Sequence, residues 1–357
     1  ERGSQMKNNR CKFMLMILCI IAVIFSGCGK ATEPVSSTEP EVTPEPVVEP
    51  TPSPAPEPPK GSPCPLTGEL VTYEADLKLR PIAVMIDNEY NARPQSGLSE
   101  AEIVYEFPVE GNITRYMAIF HHTHADKVGP VRSARPYFID KALEFNAVYV
   151  HCGGSPQALQ DLVTLKVNTL NDLKGSPCFW RSKDRKMPHN LYTSTKLMRE
   201  VMETNKFNNK TAPEYFKFNE EFLEPDGKAT RSIIFNYSKN YVVGYEYSEK
   251  DKLYYRTING TRLKDKESGK DIAAANIIVL KTTRKVLDDV GRLEIKNIGK
   301  GRGYYLSGGK LIEIEWNKDS RSAKEVYKDL KGNEVLMNKG VTWVQIVPDY
   351  VKVEIRE

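Results

Sequence analysis

From residue 29 to residue 63 the chain has almost nothing to bury. The stretch is nearly pure Pro, Glu, Thr and Ser, ending PEVTPEPVVEPTPSPAPEPPK and Gly-Ser-Pro. A segment of that composition cannot offset its own ordering entropy, so it reads as an extended, partly polyproline spacer. At roughly 3.1 Å per residue it reaches up to about 100 Å. A proline-rich recognition ligand is the other reading, but no repeated PxxP-plus-basic pattern supports it. The spacer therefore divides the chain into a short leading segment and a long remainder, 64–357, which must hold all of the fold.

The leading segment is an export address. ERGSQ reads as an extension ahead of a better start at Met6; Lys7, Arg10 and Lys12 then form a basic region, and FMLMILCIIAVIF (13–25) an apolar one. Thirteen apolar residues are too few to span about 30 Å of hydrocarbon comfortably, so a processed signal is expected. Ser26 and Gly27 directly before Cys28 resemble the bacterial lipobox, although Phe25 stands where an aliphatic residue is usual. The resemblance implies that Cys28 carries a lipid and that the protein sits on the extracellular face of the cytoplasmic membrane. An ordinary secretory signal or an uncleaved anchor would export the chain equally well.

Charge and cysteine usage agree with export. The net charge of +4 divides into +3 for residues 1–28, −4 for the spacer and +5 for the remainder. That mild excess suits anionic wall polymers and falls short of a nucleic-acid signature. Of six cysteines, Cys64, Cys152 and Cys178 lie in the remainder, which allows at most one disulfide; a Cys152–Cys178 pair is open. No CxxC or metal-like cysteine spacing exists.

Within 64–225 the periodicities predict an α/β domain. RPIAVMIDN (80–88), AEIVYEFPV (101–109), TRYMAIFHH (114–122) and AVYVHCGG (147–154) read as strands. FIDKALEFN (138–146), SPQALQDLVTL (155–165) and TSTKLMREVMETN (193–205) read as helices, with Ser155 as N-cap and Pro156 at the first helical position. From about 226 to 357 the texture becomes β-rich. RSIIFNYS, YVVGYEYS, KLYYRTI, NIIVLKTT, RLEIKNI, GYYLSGGKLIEIEW and TWVQIVP are separated by Gly, Asn, Asp and Lys. The expected fold class is thus an α/β (α+β) first domain with a mixed sheet, followed by a β-rich second domain.

Five stretches in order, RPIAVMIDN…ARPQSGLSEAEIVYE, EGNITRYMAIF, GPVRSARPYFID, HCGGSP and PHNLY, with the β-rich part ending TWVQIVP, resemble the YerB-like lipoproteins of Gram-positive bacteria. The resemblance covers essentially 64–357. It implies a two-part domain with a YerB-like fold and a surface location, and it implies no established activity.

The residues that could carry chemistry cluster in the first domain. Arg93, Arg115, Arg132, Arg135, Arg181 and Arg185 stand beside turn-forming residues. Arginine is always charged and grips carboxylate or phosphate in a bidentate fork, so a cleft lined by these residues would hold an anion. The bland alternative pairs them internally with Asp87, Glu106, Glu110 or Asp140. Gly153, Gly154 and Ser155 join a strand to a helix, where backbone donors can cradle an anion, and His151 ends that strand, where α/β domains tend to bind ligands. A tight turn needs glycine in any case. His189 in the loop Pro188-His189-Asn190 could donate to a sugar or phosphate or act as a general acid or base. In His121-His122-Thr123-His124, strand alternation lets only His122 and His124 share a metal site, and none is expected. Cys152 could be a nucleophile served by His151 or His189, against the more usual buried structural cysteine. No GxSxG elbow, HExxH or P-loop is present.

The expectation that follows is a membrane-anchored binding or scaffolding protein without a cofactor. Its ligand would be an anionic cell-wall polymer (teichoic acid or peptidoglycan) or a wall-synthesis protein, and not nucleic acid. A rival is suggested by the order of Asp87, Arg93, Arg132/Arg135, Asn146 and Gly153-Gly154, which is distantly similar to the LytR-CpsA-Psr phosphotransferases. In that reading Asp87 would hold Mg, the arginines a lipid pyrophosphate, and a long apolar pocket the polyprenyl tail. A third reading makes the folded part a structural partner in a wall-synthesis complex, its arginines tied up internally.

Overall fold

A computed structural model describes residues 61–357. The signal-like segment, Cys28 and nearly all of the spacer lie outside the described residues. The last spacer residues, Ser62–Pro63, pair antiparallel with Leu70–Val71.

The first part folds as its periodicities predict. Strands β1 (Ile82–Ile86), β2 (Ile103–Pro108) and β3 (Thr114–Phe120) are buried at every position, as mainly apolar runs require of central strands covered on both faces. β4 (Val148–His151) and β5 (Thr169–Asn171) follow. Helices α1 (Pro136–Glu144), α2 (Pro156–Thr164) and α3 (Thr195–Thr204) replace the three helical patterns. Ser155 caps α2, accepting from the Ala158 amide at 3.3 Å, and Ser194 caps α3 through the Leu197 amide at 3.2 Å.

The second part adds β6 (Lys228–Ala229), β7 (Ser232–Ser238), β8 (Tyr241–Ser248), β9 (Leu253–Ile258), β10 (Asn276–Thr282) and β11 (Gly299–Ser307). It continues with β12 (Lys310–Lys318), β13 (Val326–Asp329), β14 (Thr342–Pro348) and β15 (Lys352–Arg356). The local pattern did not predict β13 and β15. Both are short and charge-rich, and their pairing on β12 and β7 supplies what their composition does not.

These strands do not sort by sequence half. One mixed sheet runs β6-β12-β11-β10-β14-β2-β3-β1-β4-β5, with β13 on β12. Its seam is the parallel pairing of β14 with β2, from Thr342 opposite Ile103 to Gln345 opposite Glu106, and β10 flanks β14 on the other side, also parallel. The boundary expected near 226 thus separates two stretches of chain that share one sheet. A second, antiparallel sheet in the order β9-β8-β7-β15 covers one face. Its Ile233, Phe235, Val243 and Tyr245 share a core with Ile82, Val84 and Val104. Helices α1 and α2 cover the other face, where Phe138, Ile139 and Leu162 pack with Ala83, Met85 and Tyr105. Period-two alternation along β1 is what sends its neighbours to opposite cores.

Each core contains buried charge. Glu106 on β2 meets Arg256 on β9 at 2.8 Å, with both side chains essentially unexposed. Arg256 also donates to the hydroxyls of Tyr245 and Tyr116 at 3.0 and 3.1 Å, and its guanidinium lies 4.6 Å over the Trp343 ring. Glu106 accepts from the hydroxyls of Thr114 at 2.5 Å and Tyr241 at 2.8 Å. On the helical face, Lys141 reaches Glu325 at 2.8 Å and Lys318 reaches Glu144 at 2.7 Å, all four fully buried, so α1 is tied to β12.

Removing one partner of a buried ion pair leaves the other charge stranded, at a cost of about 3–5 kcal/mol. Arg256→Ala and Glu106→Ala should each lose stability on that scale in urea unfolding. The double variant Arg256→Met with Glu106→Leu should lose much less than the sum, because the stranded charge is gone.

Candidate functional site

The loops leaving the carboxyl ends of β1 and β4, together with the segments 128–135 and 181–190, carry most of the residues singled out by sequence. The segment 128–134 is laced between β1 and the chain at 191–193. The Arg132 amide donates to the Met85 carbonyl at 2.9 Å, the Asp87 amide to the Pro130 carbonyl at 2.8 Å, and the Val131 amide to the Leu191 carbonyl at 2.7 Å. This lacing brings together Asp87, Arg132 and His189, which are up to 102 residues apart.

Asp87 is the hub, 2% exposed. One carboxylate oxygen, Oδ1, accepts from the Glu89 amide at 3.1 Å. The other, Oδ2, lies 2.8 Å from His189 Nδ1 and 3.0 Å from Arg132 Nε. The second ring nitrogen of His189 faces Glu89 Oε2 at 3.4 Å. Arg132 Nε lies off the hydrogen-bond line to Asp87, so charge more than alignment holds that pair. The side chain of Arg132 is 28% exposed, and its terminal nitrogens donate to no acceptor among the described residues.

The other arginines are spent on internal partners or, for Arg115, buried. Arg135 forks onto Glu110 at 2.7 and 2.9 Å and donates to the Ala134 carbonyl. Burial pushes the Glu110 carboxyl up, but that fork outweighs it and holds the group below the usual range. Arg115 is buried and donates to the Ser133 carbonyl at 2.8 Å; burial, then the charge of Arg135, brings it down to about 10. Arg93 folds back on the carbonyl and side chain of Asn88 and lies 4.8 Å over the Tyr241 ring. Arg181 pairs with Asp172 at 3.0 Å and Asn190 at 3.1 Å. Arg185 holds the carbonyls of Ala92 and Pro94 at 2.7 and 2.6 Å. Of the acidic residues expected beside these arginines, Asp87 and Glu110 are there, whereas Glu106 pairs with Arg256 and Asp140 with Arg321.

The turn after β4 is braced from within. The Gly153 amide donates to Asn171 Oδ1 at 3.0 Å, the Ser155 amide to the Ala134 carbonyl at 3.2 Å, and the Ser155 hydroxyl is taken by its capping bond. His151 is fully buried. Its Nδ1 lies 2.6 Å from the Gly153 carbonyl, so that nitrogen carries the proton, and Nε2 accepts from the Thr169 hydroxyl at 2.6 Å. With both nitrogens engaged, His151 does not serve Cys152. Burial, then Asp172, pushes the Cys152 thiol up, away from the thiolate a nucleophile needs. Cys64, Cys152 and Cys178 are all free thiols.

A groove of about 800 Å³ opens beside α2 and β5, lined by His151, Gly153, Leu159, Val163, Lys166 and Leu173 among others. Leu159, Val163 and Leu173 are exposed there. It does not include Asp87, Arg132 or His189. The surroundings of Asp87 also bear on the metal reading. One of its oxygens faces an amide and the other a guanidinium and an imidazole, and a magnesium ion there would sit against Arg132; this donor set does not fit the ion. The donors that do converge are Cys64, Glu102, His121 and His122, all within 4.8 Å of one another. They lie at the opposite end of the central strands. The pairing of His122 with His124 is corrected: β3 ends at Phe120, alternation stops with it, and His124 is exposed. No local motif could have found this set, because its members lie up to 58 residues apart.

Comparison with known proteins agrees across both halves of the chain. The family described as "Protein of unknown function (DUF3048) N-terminal domain" matches residues 66–208, and the corresponding C-terminal domain matches 233–344. The chain is 36% identical over 290 residues to the Bacillus subtilis (strain 168) protein named "Putative lipoprotein YerB", covering 80% of this chain and 86% of that one. The crystal structure of YerB protein from Bacillus subtilis is similar at a TM-score of 0.72 and 34% identity, over 82% of this chain and 99% of that one.

Burial brings His151 down to about 4, so the folded protein keeps it neutral while the unfolded chain, near 6.5, takes up a proton first. Its contribution is complete above pH 6.5 and is lost as pH falls towards 4, amounting to roughly 2–3 kcal/mol between pH 7.5 and 4.5. Urea unfolding at these two pH values should show that much less pH dependence in His151→Asn than in the unsubstituted protein.

Proposed function

The chain belongs to the DUF3048 family, and on that premise we propose that it is a membrane-anchored envelope lipoprotein that binds an anionic ligand through Arg132. The lipoprotein name of the Bacillus relative and the FSGC sequence ending at Cys28 support a lipid anchor there. The spacer would then hold the folded part off the membrane surface, within reach of wall polymer.

A single contrast carries the binding reading. Arg93, Arg135, Arg181 and Arg185 have their donors turned inward on carbonyls, amides and carboxylates, and Arg115 is buried. Arg132 is held by charge beside a buried carboxylate, is 28% exposed, and leaves its terminal donors unused among the described residues. A side chain held at its root, with an unused planar fork, is preorganised for phosphate or carboxylate. Asp87 and Glu89 reduce the local positive charge. Lys183 and Lys186, exposed in the loop that carries His189, restore some of it. Tyr90 and Met187, in the same two loops, are 78% and 70% exposed, an apolar surface against which the sugar or alkyl part of a polymer could pack. The ligand class that fits is therefore a phosphorylated or carboxylated wall polymer. The transferase reading is not carried forward, because the neighbours of Asp87 do not suit a metal.

Calorimetric titration of the full chain in mild detergent, with wall teichoic acid in one arm and peptidoglycan fragments in the other, tests this reading. Arg132→Ala should weaken binding at least tenfold, about the 1.5 kcal/mol of a charged hydrogen bond; it should unfold somewhat more easily in urea but stay folded, because Asp87 keeps His189 and the Glu89 amide. Arg135→Ala should instead unfold more easily, because Glu110 is left unpaired. Equal affinity in wild type and Arg132→Ala would move the site elsewhere; no binding in either arm by the folded chain would sink the polymer reading.

A further inference from the structure

We propose that Cys64, Glu102, His121 and His122 form a structural site for a divalent metal, zinc by the chemistry of its donors, which fastens the start of the folded chain to the central sheet.

The set is a thiol, a carboxylate and two imidazoles, buried except for His122, whose side chain is 18% exposed. Thiolate plus carboxylate balance a divalent cation, and sulfur with two imidazole nitrogens selects zinc over magnesium or calcium. Tetrahedral zinc, with bonds of about 2.3 Å to sulfur and 2.0–2.1 Å to nitrogen or oxygen, requires ligand atoms about 3.4–3.6 Å apart. Cys64 Sγ lies 3.7 Å from His121 Nδ1 and 3.7 Å from Glu102 Oε2, and the four residues bring their donor atoms within 4.8 Å of one another.

Two details favour a shared ion over a chain of hydrogen bonds. His122 Nδ1 is buried and makes no hydrogen bond in spite of Glu102 Oε1 3.1 Å away, so that nitrogen is unspent. The carboxylate is also divided in its duties. Oε1 of Glu102 is gripped by the amides of His121, His122 and Thr123 at 3.0, 2.8 and 3.1 Å. Oε2, the atom aimed into the cluster, has only the sulfur, at 3.7 Å. An anchored carboxylate with one oxygen left over is how outer-shell bonds prepare a ligand. The sulfur is prepared likewise, since the Leu66 amide points at it from 3.4 Å.

The backbone explains how the residues converge. Beyond Phe120 the chain bends, so consecutive imidazoles both turn towards Glu102, which stands just ahead of β2 and is bonded through its amide to the Ile119 carbonyl. Cys64 arrives from the other direction, in a turn closed by the Gly68 amide on the Cys64 carbonyl at 2.8 Å. All four ligand positions are filled by protein, which marks the site as structural.

Metal analysis of the full chain, purified in mild detergent without chelator, should find about one zinc per chain. After stripping, cobalt(II) should restore a one-to-one complex with the intense visible bands of four-coordinate cobalt and a thiolate-to-cobalt charge-transfer band. Cys64→Ser should lose the charge-transfer band. His122→Gln, at the most exposed ligand, should keep its far-UV circular dichroism and lose metal affinity by more than the 10- to 100-fold of an outer-shell change. Cys152→Ser should bind like the parent. A folded parent chain that takes up neither metal stoichiometrically overturns the proposal, and so does a folded His122→Gln chain that binds as tightly as the parent. If Cys64→Ser does not fold, the cobalt spectrum of the parent still decides whether thiolate is a ligand.

Discussion

The structure turns on one ion pair. Glu106 belongs to a strand at the centre of the large sheet, Arg256 to the sheet packed on its face, and their 2.8 Å contact is made where both have lost all water. Such a pair gains little over an apolar contact of the same shape, but it punishes every arrangement that separates the two charges. The aromatic residues around it add to that selectivity. Trp343, Tyr116 and Tyr245 present ring faces to the guanidinium, and hydroxyls take up the remaining valences of the carboxylate. The pair therefore fixes how the two sheets register, and with it the end of the large sheet from which the Asp87 and Arg132 loops emerge.

The two functional features sit at opposite ends of the same strands and differ in kind. At the carboxyl end of β1, side chains are pinned by partners and one guanidinium is left open to solvent. At the other end, donors converge inward and almost nothing reaches solvent. The first arrangement suits recognition of something outside the molecule, and the second suits holding the molecule together. Both depend on irregular backbone just beyond a strand end, where alternation ceases and neighbouring side chains can face the same way.

Much of this was legible from residue order. Apolar runs such as IAVMI and TRYMAIF mark central strands, and the capping serines mark the starts of α2 and α3, because these signals are local. The motif series also pointed to the family that the comparisons bear out. What local signals could not carry was pairing at long range. Nothing in TWVQIVP says that it will lie against IVYEFP rather than within a separate β-rich unit. Nothing marks Arg256, one arginine in KLYYRTI, as the partner of Glu106. The arginines beside turns were conspicuous for the same reason that most of them proved to be spent: turns expose carbonyls, and guanidinium groups are well suited to satisfying them. Cys64 and Glu102 were overlooked because they join the histidines only through long-range contacts, and the His121-His122 pair because the alternation rule was carried two residues past the end of its strand.

The position of β14 has a consequence for how the chain can assemble. This strand, close to the C-terminus, is inserted between β2 and β10 and pairs in parallel with both. A chain emerging from its N-terminus must therefore keep the outer edge of β2, a strand buried at every position, unpaired until nearly all residues have appeared. Such an edge invites pairing with another chain, and non-local parallel pairing closes slowly. Truncation ahead of Thr342 would remove the middle of the sheet rather than its margin, leaving two stacks of strands with no hydrogen-bonded strand between them.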